Sequence, residues 1–126
     1  MWMRALWIAA VWLPALGVAH AQDAAIGLQI IGDRTKGNCL ACHALPGQIG
    51  QSGGIGSNFG PSLAGIASRY NALQLRQWVS DARQIKPDTL MPPFGSSAGL
   101  ERPQSAAPVL TPEQIEHVVA AMQTWR

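Results

Sequence analysis

Cys39-Leu40-Ala41-Cys42-His43 is the stretch on which the reading of this 126-residue chain turns. These are the only two cysteines of the protein, and a histidine directly follows the second. Two thiols three residues apart on a helical turn lie on one side of it, placed to reach the two vinyl groups on a haem edge and form thioethers. The adjacent imidazole then faces the ring and becomes the proximal iron ligand. The spacing is that of covalent c-type haem attachment, one haem per chain, through Cys39, Cys42 and His43. Three plainer readings compete. A Cys39–Cys42 disulfide would close almost no loop and stabilise little. A thioredoxin-type dithiol belongs beside a βαβ pattern, and no run here reads as a strand. A zinc site needs four ligands, and outside the pentad only His117 and carboxylates remain in the chain that follows the N-terminal segment.

Upstream, the composition changes abruptly: 17 of the first 21 residues are apolar, against 43 of the other 105. Met1 to Arg4 is a short basic start, Ala5 to Val18 an apolar run, and Ala19-His20-Ala21 a small-x-small cleavage site. That is the layout of a secretory signal. The run falls short of the roughly 20 apolar residues of a membrane span. Residues 1–21 are therefore expected to be a cleaved signal peptide and 22–126 a single domain, exported to the periplasm with no span remaining. Without Arg4 the balance is 8 basic against 7 acidic residues. With no run of like charge, nothing points to nucleic acid.

Around the motif, helical patterns alternate with loops. Asp23 caps an expected first helix over 24–33 that carries Ile26, Ile30 and Ile31. Pro46 to Gly60 is too rich in Gly, Ser and Gln to be anything but loop. Pro61 is placed to begin a short helix. Asn71, with Gln74 three residues on, predicts a capped helix bearing Leu75, Trp78, Val79 and Ala82. Five prolines between Ile85 and Leu110 forbid a long regular element there. Thr111, Pro112 and Gln114 then open a last helix whose apolar face is Ile115, Val118, Val119, Met122 and Trp125. The class is all-α, about four helices with long Gly/Pro-rich loops around one haem.

A six-coordinate iron needs a second axial ligand, and the exported chain offers Met91, Met122 and His117. Met122 lies on the apolar stripe of the last helix, which assigns it to core packing. His117 falls off that stripe and is expected in solvent. Met91 stands in Thr89-Leu90-Met91-Pro92-Pro93-Phe94-Gly95, where two prolines reduce the entropy lost in holding a weak thioether ligand in place. Met91 is the favoured distal ligand, with Met122 and His117 as the alternatives. Sulfur ligation raises the reduction potential relative to a second histidine.

Beyond the attachment site, Gly60-Pro61 resembles the pair that follows it in class I cytochromes c. The resemblance implies that the Pro61 carbonyl accepts from His43 and that the terminal helices cross, with Gly27 and Trp125 as candidates for the close contact. The chain further resembles the SoxX family, the monohaem subunits of the SoxAX cytochromes of bacterial sulfur oxidation. The matching stretches are Gly37 to His43, Gly60-Pro61-Ser62-Leu63, Arg69-Tyr70, Leu75 to Asp81, Pro87 to Gly95 and Gln114 to Val119. This implies a heterodimer with a SoxA-like haem subunit, together an L-cysteine S-thiosulfotransferase that conjugates thiosulfate to a cysteine of a SoxYZ-like carrier and passes electrons to acceptor cytochromes. Residues 96–108 are left as a variable loop.

The residues themselves agree with a subunit that transfers electrons and is not catalytic alone. Both thiols are consumed by the haem, and no nucleophile or acid–base constellation remains. The rival reading is a free, diffusible class I cytochrome c serving another oxidoreductase. Diffusing carriers use charge asymmetry to steer encounters, and a net charge of +1 supplies little. A ligand-binding haem sensor would need an open distal position.

Overall fold

The computed structural model describes residues 22–47, 59–101 and 106–126. The expected signal segment, residues 1–21, most of the Gly-rich loop and part of the 96–108 loop lie outside them. The described residues form four α-helices: α1 (Ala24–Gly32), α2 (Ile66–Arg69), α3 (Ala72–Asp81) and α4 (Pro112–Met122), with 3₁₀ turns at Cys39–Ala41 and Ala82–Gln84. There is no strand among the described residues, so the all-α expectation holds.

Three helix starts follow from their capping residues. Asp23 accepts from the backbone N–H groups of Ala25 and Ile26. Asn71 with Gln74, and Thr111 with Gln114, close reciprocal capping boxes, and Pro112 occupies the first turn of α4. Each box satisfies two N–H groups that the helix leaves without partners. The short helix departs from expectation, starting at Ile66 and not at Pro61. The reason is local: the Leu63 N–H donates to Ala44 O at 2.9 Å and the Pro61 carbonyl accepts from His43. Residues 61–63 spend their polar groups on the motif loop, and the helix begins after Gly65, which takes the left-handed conformation at φ 67°.

The core is built where α1 and α4 cross. Ile30, Ile31, Leu75, Val79, Ile115, Val118, Val119 and Met122 are buried together. Gly27 makes the crossing possible: a Cβ there would lie 1.9 Å from His117 O and 2.9 Å from the Ala121 Cβ. The close contact is thus between Gly27 and the α4 backbone, not between Gly27 and Trp125. Trp125 packs at the core edge beyond the end of α4, and its carbonyl accepts from Ala67 N–H at 2.9 Å. Of the apolar residues that mark the first helix, Ile30 and Ile31 are buried and Ile26 is 41% exposed.

His117 reverses its expectation. It is only 8% exposed, and its Nδ1 accepts from the Asp23 backbone N–H at 2.9 Å. The imidazole joins the start of α1 to the middle of α4 and satisfies an N–H at the helix entrance.

A second tie joins α3 to α4. The Arg76 guanidinium donates through Nε and Nη2 to the two Glu116 oxygens, and Gln22 Nε2 donates to Glu116 Oε2 at 3.0 Å. The hydrogen bond from Arg76 holds the Glu116 carboxyl below its ordinary value. A depressed native value means stability present at and above the usual carboxylate range and lost as pH falls through the native value. Both groups are part-exposed, so the pair contributes at most about 1 kcal/mol. Glu116→Gln should therefore cost little at neutral pH and flatten the acid limb of a pH–stability curve from chemical denaturation; an unchanged acid limb would remove this pair from the account.

Candidate functional site

The end of α1 sets the position of the motif. Gly37 N–H donates to Ile30 O at 3.1 Å and Asn38 N–H to Asp33 O at 2.9 Å, folding 33–38 into a tight turn. Asp33 Oδ1 braces it by accepting from both the backbone N–H and the hydroxyl of Thr35, at 2.8 and 2.7 Å. Asn38 then adopts the left-handed region at φ 46°, the only described non-glycine residue to do so. Asparagine tolerates that conformation better than most side chains. Cys39–Ala41 follow as a 3₁₀ turn, with Cys42 N–H and His43 N–H both donating to Cys39 O, at 3.1 and 2.9 Å. At three residues per turn, positions 39 and 42 fall on one side. Cys39 and Cys42 are not joined to each other in a disulfide.

His43 is oriented by the segment that follows the Gly-rich loop. Its Nδ1 lies 2.7 Å from Pro61 O. A carbonyl can only accept, so Nδ1 carries the proton and Nε2 keeps its lone pair for a Lewis acid. Gly60 lies flat against the ring: a Cβ there would sit 2.5, 2.7 and 2.9 Å from ring atoms of His43. Gly60 N–H donates to Cys42 O at 2.9 Å. Arg69 Nη2 donates to Ser62 O at 2.9 Å and Ala64 O at 3.2 Å, holding the residues next to that carbonyl. The role of Arg69 was not read from the sequence. Its one signal is a cation standing alone between Gly60 and Arg76 in a stretch otherwise without charge.

Met91 arrives on an irregular strip pinned at both ends. Its N–H donates to Thr89 Oγ1 at 3.2 Å. After Pro92-Pro93, Phe94 and Gly95 N–H groups donate to Val79 O and Ser80 O at 3.3 and 2.9 Å, and Phe94 O accepts from Leu110 N–H at 2.8 Å. Gly95 allows this approach, since a Cβ would meet Ile115 Cδ1 at 2.7 Å and Ser80 Cα at 3.1 Å. Met91 is part-buried against the core. The two alternatives are engaged elsewhere, Met122 inside the core and His117 on the Asp23 N–H.

The donor set suits a large apolar group carrying a metal: two thiols, an imidazole nitrogen with its partner nitrogen fixed, and a thioether. Phe59, beside Gly60 in sequence, is 72% exposed and Leu90, beside Met91, 84%. Burial pushes the Cys39 thiol up to about 11. Redox-active thiols are shifted the other way, so a dithiol function gains no support. No group of three or more metal-holding His, Cys, Asp or Glu side chains occurs among the described residues.

The sequence pattern of cytochrome c matches residues 24–125. The chain belongs to the cytochrome c family. As a cytochrome c it is an electron-transfer domain with covalently bound haem c, for which the Cys-x-x-Cys-His motif is present. No curated protein sequence matches this cytochrome c significantly. Among solved structures, a chain in the crystal structure of SoxXA from P. pantotrophus is 29% identical, with a TM-score of 0.75 over 85% of this chain and 84% of that one. Family and fold together support a SoxX-type class I cytochrome c.

Proposed function

We propose that this cytochrome c is the electron-transfer subunit of a periplasmic SoxAX-type complex. Thioethers at Cys39 and Cys42 would hold the haem, and His43 Nε2 and the Met91 thioether would ligate its iron. The haem supplies reversible one-electron transfer; the protein orients His43 through Pro61 O, keeps the ring against Gly60, and braces the strip that carries Met91. The observation that carries the site is the 2.7 Å contact from His43 Nδ1 to Pro61 O with Gly60 beneath the ring. It makes Nδ1 the donor and leaves Nε2 available, which supports the reading of His43 as an iron ligand.

The assembly reading rests on the likeness to SoxXA. A SoxA-like haem protein would be the stable partner, a SoxYZ-like carrier the transient one, and acceptor cytochromes would take the electrons. Thiosulfate conjugation would be the partner's work, because this chain keeps no free thiol once the haem is attached. Residues 1–21 would be removed on export, leaving 22–126 as one domain; among the described residues no helix is long and apolar enough to cross a membrane. Isolation of the protein from its native periplasm should yield a complex with a second haem protein that turns over thiosulfate with a carrier thiol. Recovery as a lone monomer, or with an unrelated oxidoreductase, would instead make it a diffusible carrier.

A further inference from the structure

The glycine before the attachment motif has no role in binding iron, yet its surroundings point at one cysteine and not the other. A Cβ on Gly37 would lie 2.6 Å from Ile30 O and 3.3 Å from Cys39 Sγ; the atoms nearest to it belong to Ile30 and Cys39. The Cys39 thiol therefore rests against the bare Cα of Gly37, while Gly37 is itself pressed onto the end of α1 by its hydrogen bond to Ile30 O. Asn38 joins the two in the left-handed conformation, and its own N–H is held by Asp33 O at 2.9 Å. A side chain at Gly37 must displace the backbone from Ile30 O, the Cys39 sulfur, or both.

We propose that Gly37 is a positioning residue that seats the Cys39 thiol for thioether formation, and that Cys42 does not depend on it. The inference rests on the haem-attachment reading above. In the step concerned, the Cys39 S–H adds across a vinyl C=C: an S–C bond forms, the thiol proton passes to the neighbouring vinyl carbon, the π bond is lost, and no electrons are gained or lost overall. Such an addition needs the sulfur within about 3–3.5 Å of the carbon, and a displacement of about 1 Å from that geometry costs on the order of 100-fold in rate. The crowding at Gly37 produces shifts of a sizeable fraction of that.

The test is export of the full chain with the haem-attachment machinery, followed by alkylation of free thiols in the denatured haem-bearing protein and peptide mass analysis. Gly37→Ala should raise the ratio of alkylatable Cys39 to alkylatable Cys42 at least tenfold. The reduced pyridine haemochrome band should shift to longer wavelength, as one vinyl group remains unsaturated. Gly32→Ala serves as control: it is the last residue of α1, and a Cβ there would meet nothing within 4 Å, so both thioethers should form as in the wild type. Complete attachment at both cysteines in Gly37→Ala, equal loss at both, or absence of any haem-bearing protein would overturn the proposal. A wild-type protein without covalent haem would instead refute the attachment reading on which the proposal rests.

Discussion

Met91→Ala is expected to abolish the far-red sulfur-to-iron absorption band of the oxidised protein and to lower its reduction potential. The thioether is a weak ligand that stabilises ferrous iron, so its loss removes that preference. The fall should be on the order of 0.1 V or more, within the roughly 0.8 V over which axial ligands set haem potentials. The hydrogen bonds of Thr89, Phe94 and Gly95 brace the strip independently of the Met91 side chain. The fold should therefore survive, and the reduced protein should gain affinity for carbon monoxide. Retention of the band would pass the role to Met122, which would have to leave the core contacts it makes with Val118, Val119 and their neighbours.

Gly27→Ala is expected to give the largest loss of stability of any single added methyl group. Its Cβ would fall 1.9 Å from His117 O and 2.6 Å from His117 C, both backbone atoms that no rotamer change can move. α1 and α4 must separate, and Ile30, Ile31, Val118 and Val119 lose packing with them. Overpacking of this kind costs about 1–3 kcal/mol and at times more, while alanine's better helix propensity returns about 1 kcal/mol. The clash with backbone places the cost at the upper end of that range, so a net loss of about 2 kcal/mol should lower the melting midpoint by roughly 10 °C. The same change at Gly32, where nothing lies near the Cα, should be neutral or stabilising. Equal melting points for the two variants would contradict the close crossing.

The parts of the fold that were legible in advance are those written in local pattern. Asp23, Asn71–Gln74 and Thr111–Gln114 mark helix starts because the capping hydrogen bonds run between residues two or three apart. The site motif was legible for the same reason. What was misread depends on partners remote in sequence. His117 lies off the apolar stripe and was expected in solvent, but the N–H it accepts from belongs to Asp23, 94 positions away. Gly27 was named for the helix crossing, but with Trp125 as its partner; the neighbour is the α4 backbone at His117, 90 positions away. Pro61 looked like a helix start from local pattern alone, whereas the carbonyl contact with His43 that the resemblance to class I cytochromes c implied is the role it takes. Gly60, Gly37 and Gly95 share this property: each matters for what approaches it, and only the packed structure names the neighbour.

The central claim is that Cys39 and Cys42 carry one covalently bound haem. The most direct measurement is the intact mass, under denaturing conditions, of the protein exported in a host that matures c-type cytochromes. The account predicts the mass of residues 22–126 plus one haem, with both thiols resistant to alkylation. A polypeptide that is exported, folded and free of bound haem, with two reactive thiols or a Cys39–Cys42 disulfide, would contradict it.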